Sequence, residues 1–266
     1  MLLGFDHLIV AVNDIAEADR NYVRAGFDVT HRPDAGPSET AIRIICFDDG
    51  SYLELFSFRD PGQPSKHRWA TLVPRGEGWV DWSLHCDDVE AEAGKLKQHD
   101  LPHAGPRTGG KSLLDGRAWK VGVVDAGYGV GNSLMPFFIQ DLAERQIRVP
   151  RPAGAPPQAG GAPGIAGVTQ VTKDLAGSVN LLSKVLGPGD AVPARLRGAS
   201  AAHLFPIAGG WMELVEAAEG ELADHIAVHG EGVWEVTLGP RPATRPGDGA
   251  LLPADLTHGA RLRVAR

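Results

Sequence analysis

The sequence predicts an α+β protein that is built from β-α-β-β-β modules and divided into two similar domains. Three segments of the first half recur, in the same order, in the second half. Strand and helix patterns also follow one another in a similar order in both halves. A run rich in Pro and Gly separates the two halves. We therefore predict a first domain at 1–149, a linker at 150–163 and a shorter second domain at 164–266.

The repeat pairs each candidate polar position of the first half with a counterpart in the second. Glu54 corresponds to Glu213, and Asp81 corresponds to Glu235. A duplicated domain explains three matched segments in one order better than chance does. The matched segments are 7–15 with 167–175, 52–55 with 211–214, and 76–84 with 230–238.

The elements of the first module follow from apolar runs and from the residues that interrupt them. Asn13 or Asp14 can cap a helix, and Gly26 can end it. The turn at Asp48-Asp49-Gly50 is typical of a tight hairpin. The predicted elements are a strand at Phe5–Val12, a helix that ends within Tyr22–Ala25, and strands at Phe27–His31, Thr40–Phe47 and Ser51–Phe58.

The later modules repeat this order less completely. The second module is predicted to contain strands at Trp79–Cys86, Ala118–Asp125 and Leu134–Ile139, with a helix at Asp88–His99. In the second domain a helix is predicted at Asp174–Leu186. The strands predicted there are Ile165–Thr172, Ala199–Pro206, Trp211–Ala217, Val233–Leu238 and Arg261–Val264. The last module lacks a helix pattern after its first strand, which makes the second domain the degenerate one.

Composition excludes several classes of function. The net charge of −7, without a Lys/Arg cluster, argues against nucleic-acid binding. No stretch approaches the roughly 20 apolar residues of a membrane helix, and the N-terminus does not resemble a signal peptide. Cys46 and Cys86 lie in apolar runs without CxxC spacing, so we expect two free buried thiols. Free thiols suit a reducing compartment, and we expect a cytoplasmic protein.

Paired modules with a His on the first strand and a Glu on the fourth resemble the vicinal oxygen chelate superfamily. The resemblance rests on Phe5-Asp6-His7-Leu8-Ile9-Val10-Ala11-Val12-Asn13-Asp14 and on Gly50-Ser51-Tyr52-Leu53-Glu54-Leu55. Within that superfamily, nearly the whole chain is similar to a glyoxalase-like family of two-domain proteins. Further support comes from the segments 115–117, 134–139 and 148–150.

The resemblance implies cupped half-barrel sheets that hold a divalent metal between paired modules. It assigns His7, Glu54 and Asp81 as candidate metal ligands, with Asp81 where relatives have His or Gln. The fourth ligand position falls within Pro136-Phe137-Phe138, which offers no donor, so the ligand set is incomplete. We expect that such a set could hold Mn, Mg, Zn, Fe or Ni, and an Asp ligand favours the harder ions Mn²⁺ and Mg²⁺ over Zn²⁺.

The same resemblance implies chemistry on a small oxygenated metabolite in the N-terminal cup. Glu54 is the candidate base or ligand, and His7 is the candidate ligand or polarising group. The implied reactions are those of an isomerase, a lyase or an epimerase. Two alternatives stay open: a non-catalytic binding or resistance protein with a vestigial metal site, and a structural module. In the binding alternative, aromatic residues line the cup, namely Trp79, Trp82, Phe137 and Phe138.

The second domain lacks the chemistry of the first. Gly167 stands where the first domain has His7, and Arg263 stands where a closing carboxylate would fall. An inward guanidinium would repel a divalent cation. We therefore expect the second domain to serve as a scaffold or a dimerisation surface, and a homodimer is one assembly this allows.

Overall fold

The computed structural model describes residues 1–63, 67–127 and 134–265, which form two seven-stranded mixed sheets. This arrangement confirms the α+β fold. The strands of the first sheet are β1 (Leu2–Ala11), β2 (Thr40–Cys46), β3 (Tyr52–Phe58), β4 (Gly78–Cys86), β5 (His103–Ser112), β6 (Ala118–Ala126) and β7 (Phe137–Asp141). Those of the second are β8 (Ile165–Thr172), β9 (Asp190–Val192), β10 (Ala199–Ile207), β11 (Gly210–Ala217), β12 (Gly232–Leu238), β13 (Ala250–Leu251) and β14 (Arg261–Val264).

Short helices connect these strands. They are α1 (Ile15–Arg24), α2 (Val89–Gln98), α3 (Arg145–Arg148), α4 (Leu175–Leu186) and α5 (Gly220–His229). Asp14, Asp88 and Asp174 cap the first, second and fourth of these helices by accepting backbone N–H groups of the first turn. None of the helices in the described residues is long and apolar enough to cross a membrane.

The two sheets have corresponding strand orders. The first runs β2-β3-β1-β4-β7-β6-β5, and the second runs β9-β10-β11-β8-β12-β14-β13 when read from the matching edge. In each, the first strands of two modules pair antiparallel at the centre, and each has a parallel partner on its outer side. In each sheet, the last strands of the two modules therefore flank the central pair, β3 and β7 in the first sheet and β11 and β14 in the second.

The two faces of the first sheet have different roles. Leu8 and Val10 belong to a large apolar core that also contains Val168 and Met212 of the second sheet. Ile9 and Ala11 point to the opposite face, as the two-residue period of a strand requires. The two halves therefore share one core, while each sheet keeps its other face for its own cup.

One predicted strand is wrong, and one strand of the first sheet was not predicted. Phe27–His31 is not a strand, because Thr30 alone makes a bridge, to Ile44 of β2. β5 was not predicted, because its segment contains Pro106 and several glycines. An edge strand tolerates both residue types, since it needs hydrogen bonds along only one side.

Helix α5 was not predicted either. It lies between β11 and β12, and only Leu222 and Ile226 are buried along its length. Two apolar positions one turn apart are a weak periodic signal. The helix is stabilised by the sheet surface on which it packs rather than by its own pattern.

The Pro/Gly-rich segment packs against the first sheet. The buried side chain of Gln158 accepts a hydrogen bond from the backbone N–H of Asp28 at 2.9 Å and donates one to the carbonyl of Cys46 at 2.8 Å. Arg151 forms ion pairs with Asp28 and Asp48. The domain limits at 149/150 and 163/164 stay a prediction. Cys46 and Cys86 are buried free thiols.

Candidate functional site

The first sheet encloses a cavity of about 400 Å³. Its floor comes from β1, β3 and β7, and its walls come from β2, β5, β6 and the connection between β3 and β4. His7 of β1 and Glu54 of β3 both line it. The strand register explains this placement, because Ile9 of the cup face pairs with Glu54 on one side and with Asp81 on the other.

Glu54 presents a carboxylate to the cavity. The residue is 8% exposed, yet no hydrogen bond or ion pair joins its carboxylate to any residue in the described part of the chain. A largely buried carboxylate normally has partners, because leaving one unpaired costs free energy. Glu54 is therefore the group whose lone pairs are available to a bound molecule.

His7 is held in one orientation by three neighbours. Its Nδ1 lies 2.7 Å from Oδ1 of Asp6 and 2.8 Å from Oγ of Ser83, and its ring stacks on Tyr52 at 4.4 Å between centroids. A carboxylate can only accept a hydrogen bond, so Nδ1 carries the proton and the lone pair lies on Nε2. In this tautomer Nε2 of His7 is the acceptor nitrogen of a side chain that lines the cavity.

Asp6 positions His7 and is itself fixed by two arginines. The register of β1 shifts between Phe5 and His7, and this bulge turns the fully buried side chain of Asp6 toward its neighbour. Arg148 donates two hydrogen bonds to it and Arg145 donates one, each at 2.8 Å. Burial alone would raise the pKa of Asp6, but the Arg148 guanidinium and its hydrogen bonds hold that pKa well below its usual range.

One group of three candidate metal ligands exists among the described residues. It consists of Asp6, His85 and Asp141, whose ligand atoms lie within 4.8 Å of one another. Arg145 and Arg148 donate hydrogen bonds to both aspartates, and His85 lies 3.3 Å from Asp141. The two guanidinium groups already neutralise these carboxylates, so the cluster is best described as an ion-pair network behind His7.

Asp81 is engaged by groups of the β3–β4 connection. Arg68 approaches its carboxylate at 2.6 Å, and the indole Nε1 of Trp69 donates a hydrogen bond at 2.7 Å. The backbone N–H of Trp82 donates a third bond, at 2.8 Å. Burial nevertheless raises the pKa of Asp81, against the effect of Arg68. Asp81 thus lies behind Arg68 and Trp69, which line the cavity in its place.

Arg68 brings a positive charge into the cup. Its guanidinium also forms an ion pair with Asp125 of β6 and lies 4.5 Å over the ring of Phe137. Arg68 was not predicted from the sequence, because the β3–β4 connection has no periodic pattern. One signal was present: Asp81 and Asp125 both fall in predicted strands, and two carboxylates that become buried in one sheet require a cation nearby.

The donor set of the cup, as the structure places it, does not fit a divalent cation. His7 and Glu54 offer free ligand atoms, but the oxygens of Asp81 are occupied and Phe137 supplies no donor. His7, Glu54 and Asp81 do not form a group of ligand atoms within 4.8 Å. The Arg68 charge would also repel a metal. Metal ligation by this trio stays a prediction.

The aromatic lining differs in part from the prediction. Phe137 lines the cavity, whereas Trp79, Trp82 and Phe138 pack into the shared core on the other face of the sheet. The physical reason is the bulged register between β1 and β4, together with strand alternation. The aromatic lining residues that the structure shows in addition are Tyr52, Trp69 and Trp119.

The second cup retains the carboxylates but encloses them. Thr169 pairs in register with both Glu213 and Glu235, as Ile9 does with its two carboxylates. Thr169 donates a hydrogen bond to Glu213 at 3.1 Å, and Arg263 binds Glu235 at 2.7 and 3.1 Å. The Trp211 ring lies directly over the backbone where the first cup has His7.

Comparison with known proteins agrees with this fold. The model of the family described as the glyoxalase-like domain matches residues 5–186, which confirms the resemblance seen in the sequence. A hypothetical protein from Staphylococcus aureus superposes with a TM-score of 0.67 at 15% identity, with 98% of each chain covered.

A mutant of 4-hydroxymandelate synthase from Streptomyces coelicolor gives a TM-score of 0.59 at 16% identity, over 90% of this chain and 71% of that one. A fusion of a xylose isomerase-like TIM barrel with 4-hydroxyphenylpyruvate dioxygenase gives 0.53 at 13% identity, over 90% of this chain and 36% of that one. At these identities the likeness shows the fold alone. No curated protein matches the sequence.

Proposed function

Since this chain belongs to the glyoxalase-like domain family, we propose that it is an enzyme acting on a small oxygenated metabolite in its first cup. The reaction begins when a proton is removed from a carbon next to an oxygenated group. Isomerisation, epimerisation and elimination by a lyase share this step. Glu54 is the general base of this proposal, and His7 is the second proton-transfer group.

The observation that carries the proposal is the unpaired carboxylate of Glu54. A general base needs a free lone pair within reach of the proton it removes. Glu54 lines a cavity of about 400 Å³, and its carboxylate makes no hydrogen bond to other residues of the described ranges 1–63, 67–127 and 134–265. A cavity of this size suits a small metabolite.

His7 supports the same chemistry from the neighbouring strand. Its Nε2 lone pair can accept a proton from a substrate hydroxyl, and its Nδ1–H bond to Asp6 would stabilise the imidazolium that forms. Asp6 remains ionised because of Arg148, so it can fulfil this role over a wide pH range. Asp6 acts through His7 and is a positioning residue.

Hydrogen–deuterium exchange tests the proposal without knowledge of the physiological substrate. The protein would be incubated in D₂O with hydroxyacetone, glyceraldehyde, pyruvate and 2-oxobutyrate, and proton NMR would follow loss of the signals next to the carbonyl group. We expect catalysed exchange with at least one probe, and Glu54→Gln should slow it by about 10²–10⁴-fold.

Glu213→Gln is the matched control, because Glu213 holds the same register position in the second cup. Exchange that survives Glu54→Gln but not Glu213→Gln would overturn the assignment. Binding of a probe without any exchange would instead support the alternative of a non-catalytic binding protein.

A further inference from the structure

We infer that Arg68 takes the place of a metal ion in the first cup and that its guanidinium binds two adjacent oxygens of a small carboxylate ligand. The inference shares with the proposed function only the location in the first cup, because it concerns binding rather than proton removal. The ligands are small carboxylates that carry a second oxygen on the neighbouring carbon, such as 2-oxo and 2-hydroxy acids.

Charge balance explains why the Arg68 guanidinium lies between two buried carboxylates. Asp81 and Asp125 are both buried, with 3% exposure each, and both face Arg68. Arg107 adds a second ion pair to Asp125 at the mouth of the cup. Two carboxylates and two guanidinium groups sum to zero charge, so neither aspartate is left as a free anionic ligand for a divalent ion.

The Arg68 guanidinium has N–H donors left over for a ligand. Arginine carries five N–H groups, and Arg68 uses one terminal nitrogen for Asp125 and the other for Asp81. Each terminal nitrogen has a second N–H, and Nε has one more. A planar guanidinium matches two oxygens held side by side. Contact with the face of Phe137 fixes the plane of the guanidinium.

The remaining charges of the cup orient such a ligand. Glu54 would repel a carboxylate, and Arg32, whose charge interacts with Glu54, is already paired with Asp34. Arg68, Arg107 and Lys111 line the cavity and attract a carboxylate. The carboxylate of the ligand therefore lies toward Arg68, and its remaining carbon atoms lie toward Glu54. When Glu54 takes the proton, the C–H electron pair forms a C=C bond and the π pair of the neighbouring carbonyl moves onto its oxygen. The Arg68 N–H groups stabilise the negative charge on that oxygen.

Metal content and oxalate binding test the inference on the intact protein. Oxalate is the probe, since it is a small anion with adjacent oxygens. We expect no stoichiometric Mn²⁺, Mg²⁺ or Zn²⁺ by elemental analysis after dialysis against each ion. Oxalate should bind in the presence of EDTA, as followed by calorimetry. One metal per chain, or oxalate binding that EDTA abolishes, would overturn the inference.

Arg68→Met should weaken oxalate binding by at least about tenfold, because a charge-assisted bidentate contact is lost. Arg68→Lys keeps the charge but loses the fork, so it should give a smaller loss while preserving the fold better. The matched control is Arg263→Met, which breaks the corresponding ion pair in the second cup and should leave oxalate binding unchanged. Unchanged oxalate binding in both Arg68 variants would contradict the inference.

A separate variant distinguishes failure of this inference from failure of the proposed function. Glu54→Gln should bind oxalate as tightly as the unmodified protein, or more tightly, because a negative charge is removed from the cup. Arg68-dependent oxalate binding without any proton exchange would leave the inference standing and reject the proposed function. Exchange of pyruvate or 2-oxobutyrate, the two carboxylate probes, that proceeds unchanged in Arg68→Met would reject the inference and leave the proposed function standing.

Discussion

The two cups share the same strand arrangement but differ in the side chains that fill them. Each places a carboxylate on both sides of its central strand, Glu54 and Asp81 in the first cup, Glu213 and Glu235 in the second. In each, an arginine pairs with the carboxylate of the antiparallel partner strand. The frame alone therefore does not distinguish a candidate site from a structural core.

The difference comes from one connection and one side chain. In the second cup, Leu222 and Ile226 of α5 pack against the cup face, and the Trp211 ring lies over Gly167. In the first cup, the equivalent connection supplies Arg68 and Trp69, and the cavity remains.

Closure also changes the chemistry of the retained glutamate. Glu213 accepts a hydrogen bond from Thr169, and burial raises its pKa. In the first cup Glu54 faces open volume. A duplicated frame thus becomes a candidate site where the connection between modules leaves the carboxylate accessible to a ligand.

The largest stability effect is expected at the network behind the first cup. Asp6→Asn removes a fully buried charge from two arginines and should lower the free energy of unfolding by about 3–5 kcal/mol. Because the pKa of Asp6 is lowered in the folded protein, its contribution to stability is fully present above pH 3.8, the ordinary pKa of the group, and is lost as the pH falls further. Urea denaturation at several pH values measures both effects.

The control for this prediction is Asp115→Asn, which affects an exposed ion pair with Arg117. It should leave the denaturation midpoint unchanged. If Asp6→Asn were equally neutral, the network would not hold His7 rigidly, and the contrast with the second cup would weaken.

The next effect concerns the helix that closes the second cup. Leu222→Ala should cost about 2–5 kcal/mol of unfolding free energy, because the side chain is buried against the sheet. Val228→Ala on the exposed side of α5 is the control. Proton exchange in the first cup should be unaffected by either change. A loss of exchange in Leu222→Ala at a temperature where the protein stays folded would show that the cups are coupled.

A smaller effect is expected where the Trp211 ring crosses the chain. A Cβ atom at Gly167 would lie 2.1 Å from that ring, so Gly167→Ala should destabilise the protein by about 1–3 kcal/mol. Combining Gly167→Ala with Trp211→Ala should cost less than the sum of the two single changes. Additive costs, measured by thermal denaturation, would refute the steric explanation.

The smallest effect is a change in pH dependence. Because burial raises the pKa of Glu213, its neutral form stabilises the fold below the ordinary value of 4.5, and this contribution is lost as the pH rises through the raised value. Glu213→Gln stays neutral and can still accept the Thr169 hydrogen bond. Its unfolding free energy should therefore fall less than that of the unmodified protein as the pH rises above 4.5. Glu221→Gln, on an exposed side chain of α5, is the control.

The frame of the fold was predictable from the sequence. The family resemblance assigned His7 and Glu54 to one cup, with which strand alternation agrees, and the internal repeat identified Glu213 and Glu235 as the counterparts of Glu54 and Asp81. Helix starts at capping aspartates were also predictable. These features are local, because a period of two or a cap involves residues a few positions apart.

What fills each cup depends on contacts between distant parts of the chain. Arg68 reaches Asp125 across a long separation in the chain, and Arg148 reaches Asp6 from the other end of the first half. Helix α5 is stable only on the sheet that it covers. Connections without periodicity carry no pattern of their own, because their position is fixed by the charges and apolar surface of distant strands. The alternation of the strands made two cups, and these distant contacts left one of them open.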